Sequence, residues 1–147
     1  MDKKKLKEHL IDVHQHIIED LGKEIGSYSQ GADLDEEDTL DPEDYSHQTE
    51  AGNIAMNLKQ QLKQAESELR FLESLDDSAK DEVGPGALVQ LDDRYLYISI
   101  ATLPFEHEGA QIISISTEAP IYPLIKFKHK GDHIKLGKTN HEIIEIY

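Results

Sequence analysis

The sequence predicts an α+β protein, in which an antiparallel pair of helices precedes a small antiparallel β domain. Three observations predict this fold class. Apolar residues recur every three or four positions in the first half of the chain and alternate with polar residues after residue 86. An acidic segment, residues 31–44, separates two helical patterns, so pairing of those helices would bring it to their shared end. A Gly-Pro-Gly breaker at 84–86 stands where the period changes.

The first helix is expected over residues 4–25. Gly22 and Gly26 weaken its end, and residues 27–31 are expected to form a loop. The helix would contain about 20 residues and be roughly 30 Å long. Its apolar face consists of residues three and four apart: Leu6, Leu10, Val13, Ile17, Leu21 and Ile25.

The second helix is expected over residues 42–75. Asp41 is suited to cap it, because an aspartate accepts hydrogen bonds from the free N–H groups of a first turn. Pro42 suits the first helical position, and the helix dipole favours negative charge at Glu43 and Asp44. The apolar positions alternate between spacings of three and four, as in a coiled-coil seam: Ala51, Ile54, Ala55, Leu58, Leu62, Ala65, Leu69, Leu72 and Leu75. The two helices are therefore predicted to form an antiparallel coiled-coil hairpin.

The predicted division of the chain is a coiled coil with an acidic tip over 1–78, a linker over 79–85 and a β domain over 86–147. Residues 92–93 are expected to form a tight turn, and residues 119–127, with two prolines, a crossover with a helical turn. A further turn is expected around Gly137. Five strands are predicted, over residues 87–91, 95–101, 111–116, 133–136 and 142–147.

The formal net charge of −15 argues against direct, high-affinity binding to nucleic acid, because phosphate contacts need clustered Lys and Arg. The charge suits a basic or metal-carrying partner, and it equally suits a surface whose excess acid keeps the protein soluble. The lack of cysteine excludes disulfide and thiolate chemistry. No bilayer-spanning apolar run and no signal peptide is recognised, so a cytoplasmic protein without membrane association is expected.

The sequence contains no Gly-rich phosphate loop and no nucleophile elbow, so neither an enzyme acting alone nor a small-molecule substrate is expected. His14 and His16 are two residues apart and would face different sides of a helix. His129 and His133 lie in a lysine-rich segment, residues 126–138. Those histidines are either metal ligands or solvated, and the segment is either a docking surface or a solvated turn.

The acidic segment allows three interpretations. Asp33, Asp35, Glu37 and Asp44 occupy calcium-loop positions, but Asp38 stands where such a loop needs glycine. Carboxylates at a hairpin tip could instead help to hold a magnesium ion in a partner's active site. Asp41 and Asp44 also fit a plain helix start, where a cap contributes about 1 kcal/mol.

The C-terminal half contains Ser116-Thr117-Glu118-Ala119-Pro120-Ile121, then Leu124, Lys130-Gly131-Asp132 and a closing HEIIEIY. This order resembles the Ser-Pro-Ile, Leu and Gly-Asp segment and the last strand of the Gre transcript-cleavage factors. The resemblance spans residues 86–147 and implies an FKBP-like fold for the C-terminal domain. It also implies an N-terminal coiled coil with acidic tip residues and bacterial RNA polymerase as the partner.

The acidic segment can be aligned with the tip motif of that family in two registers. Tyr45 and Glu50 reproduce a family spacing that makes Asp38 and Asp41 the tip acids, and a shift of three residues selects Asp41 and Asp44. The resemblance implies that the coiled coil enters the secondary channel of the polymerase. The tip acids would there coordinate the second magnesium and position a water molecule for cleavage of backtracked RNA.

The resemblance therefore predicts a transcription elongation factor with no cofactor of its own, which shares magnesium with RNA polymerase. The chain would stimulate RNA cleavage by the polymerase and would not be an enzyme by itself. The alternatives are a non-cleaving regulator or inhibitor of the same channel, and a protein-interaction module without metal chemistry. A third is a divalent-ion binding protein that uses residues 33–44.

Overall fold

A computed structural model describes residues 1–32 and 42–147, with the backbone alone for residues 30–32, 44 and 45. Two helices come first, α1 (Lys3–Ala32) and α2 (Pro42–Ser74), and a short helix α3 (Tyr122–Ile125) lies among the strands. The strands in this part of the chain are β1 (Leu88–Gln90), β2 (Tyr95–Ser99), β3 (Phe105–His107), β4 (Ala110–Ser116), β5 (His133–Leu136), β6 (Thr139–Glu142) and β7 (Glu145–Ile146). The chain is therefore α+β, as predicted.

Helix α1 is longer than the sequence pattern predicts. It begins after Asp2, whose carboxylate accepts hydrogen bonds from the backbone N–H groups of Lys4 and Lys5 at 3.0 and 3.3 Å. It continues to Ala32, so the loop expected over residues 27–31 is wrong. Gly22 and Gly26 each cost about 1 kcal/mol relative to alanine, which weakens a helix without breaking it.

Helix α2 begins at Pro42, as predicted, and ends at Ser74. Two lysines of α1 donate hydrogen bonds to backbone carbonyl groups that lie just after the last residue of α2. The ammonium group of Lys7 donates to the carbonyl of Leu75, and that of the buried Lys3 donates to the carbonyl of Ser78, each at 2.5 Å. Burial, together with the charge of Lys80, lowers the pKa of Lys3. These bonds satisfy carbonyl groups at and just beyond the C-terminal end of α2.

The described residues form two compact units. The helical unit is Ile11–Arg70, and the sheet unit is Met1–Leu10 with Phe71–Tyr147. Val83, which lies in the predicted linker, is fully buried in the core of the sheet unit. The division into independently folding parts stays a prediction.

The main sheet has five strands in the order β3-β4-β2-β1-β7 and is mixed. Strands β2 and β4 run parallel, with Leu96 beside Ile113, so the prediction of a wholly antiparallel sheet is wrong. The cause is β3, which the sequence pattern did not reveal. Glu108 and Gly109 have φ values of 50° and 77° and turn β3 back into β4, which returns beside β2 in the same direction.

The strand predicted over residues 142–147 is divided between two sheets. Strand β6 pairs with β5 in a separate two-stranded sheet, and β7 pairs with β1 at the edge of the main sheet. Ile143 separates them, because its N–H and C=O bond Asp132 and Gly131 instead of a strand partner. Strand β5, the turn at Gly137 and the helical turn in the 119–127 crossover agree with the predictions.

Candidate functional site

The predicted tip acids are Asp38, Asp41 and Asp44. Asp38 and Asp41 lie outside the described residues, and for Asp44 only the backbone is described, in the first turn of α2. Glu43, beside Asp44 in that turn, is exposed. The roles of Asp38, Asp41 and Asp44 therefore stay predictions.

In the helical unit, α1 and α2 contact each other through a partly buried polar pair. Nε2 of His14 lies 2.9 Å from a carboxylate oxygen of Glu68, whose other oxygen accepts a hydrogen bond from Gln64 at 2.9 Å. The His14 side chain is 8% exposed and that of Glu68 is 28% exposed. The pair lines an open groove of about 400 Å³ together with residues of both helices: Ile17, Leu21, Asn57, Gln60, Gln61, Gln64 and Ala65.

His14 is buried between the helices, although the predicted apolar face contained Val13 and Ile17 and not His14. Val13 and Ile17, which were expected in the apolar face, are 39% and 41% exposed. His16 is exposed, so the two histidines do face different sides of the helix. The His16 ring donates a hydrogen bond to the Asp12 carbonyl, and this bond, followed by the charge of the Asp12 carboxylate, raises the pKa of His16.

Gly131 and Asp132, the Gly-Asp pair on which the family resemblance partly rests, close a tight turn. A carboxylate oxygen of Asp132 accepts a hydrogen bond from the N–H of His129 at 2.7 Å, and the N–H of Gly131 donates to Ile143 at 2.8 Å. Lys130, which lies between His129 and Gly131, forms an ion pair with Glu145. These residues therefore have a structural role in joining the turn to the end of β6.

The crossover presents two exposed apolar side chains, Leu124 (74% exposed) and Phe127 (61% exposed). Phe127 has a φ of 65°, and its N–H donates to the carbonyl of Val83 at 2.8 Å. The ammonium group of Lys126 lies 5.4 Å from the centre of its ring. The lysine-rich segment thus contains an exposed aromatic side chain, and its proposed docking role stays a prediction.

The start of α1 packs against β3 in the sheet unit. The ring of His9 lies 5.1 Å from that of His107 and 5.9 Å from that of Phe105, measured between centres. Lys5 lies 3.8 Å from Glu108. Nε2 of His107 is buried without a hydrogen-bond partner, the one such side-chain atom in residues 1–29, 42–43 and 46–147.

His129 and His133 are not brought into a metal-ligand cluster. Within the described chain, one group of three ligand-type side chains comes together: Asp92, Asp93 and His141. The two aspartates form the predicted turn between β1 and β2, and His141 lies in β6. Sequence spacing does not predict this cluster, because His141 is far from Asp92 and Asp93 in the chain and meets them only through the packing of two sheets.

No protein-family model and no curated protein matches this sequence. Among the helices of the described residues, none is both long and apolar enough to cross a membrane.

Proposed function

We propose that this chain is a transcription elongation factor of the Gre type, which binds RNA polymerase and promotes cleavage of backtracked RNA. Its two long helices form a coiled-coil hairpin that enters the secondary channel of the polymerase. The sheet unit, a divergent FKBP-like domain, contacts the polymerase outside that channel. The magnesium ion and the RNA belong to the polymerase, and the chain contributes carboxylates.

The observation that supports this proposal best is the direction of the contact between α1 and α2. His14 contacts Glu68, and further along the same groove Leu21 of α1 and Asn57 of α2 are both lining residues. Residue numbers rise along α1 while they fall along α2, as in an antiparallel pair. The end of α1 at Ala32 and the start of α2 at Pro42 then belong to the same end of the pair.

The residues that connect those helix ends are strongly acidic in sequence. Residues 33–41 contain six carboxylates and no basic residue: Asp33, Asp35, Glu36, Glu37, Asp38 and Asp41. Helices of 30 and 33 residues are about 45 and 50 Å long, which suits delivery of an acidic end into a deep channel. Carboxylate oxygens are ligands that magnesium prefers, so these side chains suit a shared metal ion.

A non-cleaving regulator of the same channel is the second candidate. The family's tip glycine is absent, its glutamate is replaced by aspartate, and Pro42 stands directly after Asp41 and begins α2. The family's opening Thr and Gly segment is also missing. A hairpin that occupies the channel without completing the metal site would inhibit the polymerase.

The test is cleavage of backtracked RNA by polymerase from the same organism, with the wild-type chain and with Asp38→Asn, Asp41→Asn and Asp44→Asn. Asn keeps the size of the side chain and removes its charge. Since a shared metal ion contributes several kcal/mol to such a step, loss of its ligand should slow cleavage at least about tenfold. We expect the largest effect at Asp41, which is selected in both registers, and none for Asp20→Asn, a matched exposed aspartate of α1.

Binding to the polymerase is measured in parallel, and circular dichroism checks that each variant keeps its helices. Binding without cleavage at any magnesium concentration would reject the cleavage function and leave the regulator. Failure of the wild-type chain to bind polymerase at micromolar concentration would reject both.

A further inference from the structure

Two carboxylates of the sheet unit converge on one imidazole nitrogen. Nδ1 of His141 lies 2.7 Å from Oδ1 of Asp92 and 3.4 Å from Oδ1 of Asp93. One ligand atom from each of the three residues lies within 4.8 Å of the other two. We propose that Asp92, Asp93 and His141 form a binding site for a divalent transition-metal ion, of which zinc fits the donor set best.

The burial of the three side chains suits a site with one open position. The His141 side chain is 5% exposed, so its ring is held in place by the surrounding protein. The side chains of Asp92 and Asp93 are 55% and 45% exposed, which leaves the carboxylate side open to water. Zinc sites with three protein ligands commonly complete their coordination with a water molecule.

In the metal-free cluster each carboxylate has its own hydrogen-bond partner, His141 for Asp92 and Arg94 for Asp93. An imidazole nitrogen carries at most one hydrogen, so Nδ1 of His141 cannot make two full hydrogen bonds to the two carboxylates. A divalent ion in place of that hydrogen would satisfy both carboxylates and the nitrogen lone pair together. It would also offset the negative charge of Asp92, since that of Asp93 is already paired with Arg94.

The distances are close to those of a zinc coordination shell. Ligand atoms that lie 2.0–2.2 Å from a tetrahedral zinc ion are about 3.4 Å apart. The distance between His141 and Asp93 already matches at 3.4 Å, whereas the 2.7 Å between His141 and Asp92 must open by about 0.7 Å. Because Asp92 is exposed at a turn, a small side-chain rotation achieves this.

The donor types decide between the metal ions. Magnesium and calcium prefer sites made of oxygen ligands, whereas one imidazole with two carboxylates suits zinc and its transition-metal neighbours. Arg94 limits the affinity, because its Nε donates to Oδ1 of Asp93 at 2.8 Å and its Nη2 contacts the other oxygen. Arg94 also fixes the direction of that carboxylate. We therefore expect zinc binding in the micromolar range, weaker than in a site with thiolate ligands.

The ion would tie together two sheets of the sheet unit. Asp92 and Asp93 connect β1 to β2 in the five-stranded sheet, and His141 belongs to β6 in the two-stranded sheet. An ion that binds the folded chain alone raises its melting temperature as the ion concentration rises above the dissociation constant. The site is thus independent of the proposed action on RNA polymerase.

The experiment is calorimetric titration of the full-length, metal-free chain with zinc chloride in excess magnesium. Excess magnesium occupies purely carboxylate sites, including any within residues 31–44. We expect one zinc ion per chain, a higher melting temperature with zinc, and a visible absorption band with cobalt as a substitute. His141→Asn, which retains a hydrogen-bond donor for Asp92, and Asp92→Asn should each weaken zinc binding at least about tenfold.

The matched controls are His133→Asn and Asp81→Asn, which replace an exposed histidine and an exposed aspartate elsewhere in the sheet unit. Both should bind zinc like the wild type. The proposal is overturned if the wild type binds no zinc at about 100 µM. It is equally overturned if His141→Asn keeps the wild-type zinc affinity and cobalt band, because the ion would then lie elsewhere.

Discussion

The hydroxyl groups of Ser99 and Ser114 lie 2.7 Å apart, both buried, between the parallel strands β2 and β4. Ser114 donates its own hydrogen to the carbonyl of Ile100 at 2.6 Å. A hydroxyl group has one hydrogen, so the hydrogen between the two serines belongs to Ser99. The contact therefore has a direction, from Ser99 to Ser114 to Ile100.

This direction predicts unequal effects of two similar substitutions. Ser114→Ala leaves both the Ser99 hydroxyl and the Ile100 carbonyl without their partner, which should lower the free energy of unfolding by about 2 kcal/mol. Ser99→Ala leaves Ser114 bonded to Ile100 and should cost about 1 kcal/mol or less. Urea unfolding followed by circular dichroism measures both. A larger loss for Ser99→Ala would show that the assigned direction is wrong.

Helix pairing in the helical unit should depend on the pair of His14 and Glu68. His14→Ala removes a buried ring and leaves the Glu68 carboxylate without one partner, so unfolding should become easier by about 2 kcal/mol. Glu68→Gln keeps a side chain that can hydrogen-bond to His14 and should cost less than about 1 kcal/mol. Thermal and urea unfolding of the full chain, followed at the helical circular dichroism band, provide the comparison.

Gln15→Ala is the control for that pair, since Gln15 is the exposed neighbour of His14 on the same helix. It should change the free energy of unfolding by no more than about 0.5 kcal/mol. Equal effects of Gln15→Ala and His14→Ala would mean that helix propensity alone accounts for the loss.

The stability of the chain should fall at high pH because of Tyr97. Burial, with a smaller effect of the Asp77 charge, raises the pKa of its phenol to about 12. An unfolded tyrosine loses its proton near pH 10, while the folded one keeps it, so this contribution is complete below pH 10 and is lost between pH 10 and 12. We expect a loss of about 2 kcal/mol from this group across that interval.

Tyr97→Phe has no proton to lose and isolates the effect from that of the lysines. Urea midpoints at pH 9 and about pH 11.5 should fall further for the wild type than for Tyr97→Phe. Identical shifts in the two proteins would exclude Tyr97 as the source.

Gly86 and Gly84 should differ in their tolerance of alanine. Gly86 has a φ of 80°, and a Cβ atom there would lie 3.2 Å from the carbonyl oxygen of Asp76. Its N–H also donates to Ile98 at 2.8 Å, so the backbone cannot move freely. Gly86→Ala should therefore cost about 2 kcal/mol.

Gly84→Ala is the matched control, because a Cβ atom at Gly84 meets no atom within 4 Å and its φ is not in the positive region. It should leave the free energy of unfolding unchanged or raise it by about 0.5 kcal/mol. Differential scanning calorimetry of both variants tests the contrast, which fails if Gly84→Ala is the more damaging substitution.

Local signals in the sequence account for much of the fold. The start of α2 at Pro42 follows from the proline and the acids around it, and β5 follows from its alternation. The end of α1 did not follow, because Gly22 and Gly26 lower helix propensity without imposing a stop. The three residues of β3 are too few to show a period, yet their pairing decides that β4 runs parallel to β2.

The candidate sites show the same limit. The turn at Asp92 and Asp93 was predicted correctly from the sequence. Their contact with His141 was not, because it depends on how one sheet packs beside the other. His14 was missed as a seam residue because a hydrophobic pattern does not include a histidine, although Glu68 on the other helix gives it a partner. A contact between polar side chains that are far apart in the chain cannot be predicted from the residue spacing within either segment.

The position of β1 has a consequence for synthesis on the ribosome. Val89 of β1 pairs with Leu96 on one side and with Ile146 on the other. The first pairing can form soon after its residues leave the exit tunnel, whereas the second must wait for fifty further residues, from Leu96 to Ile146. A nascent chain that pauses in this interval carries an open strand edge next to apolar side chains, so slow translation after β2 should favour aggregation or chaperone binding.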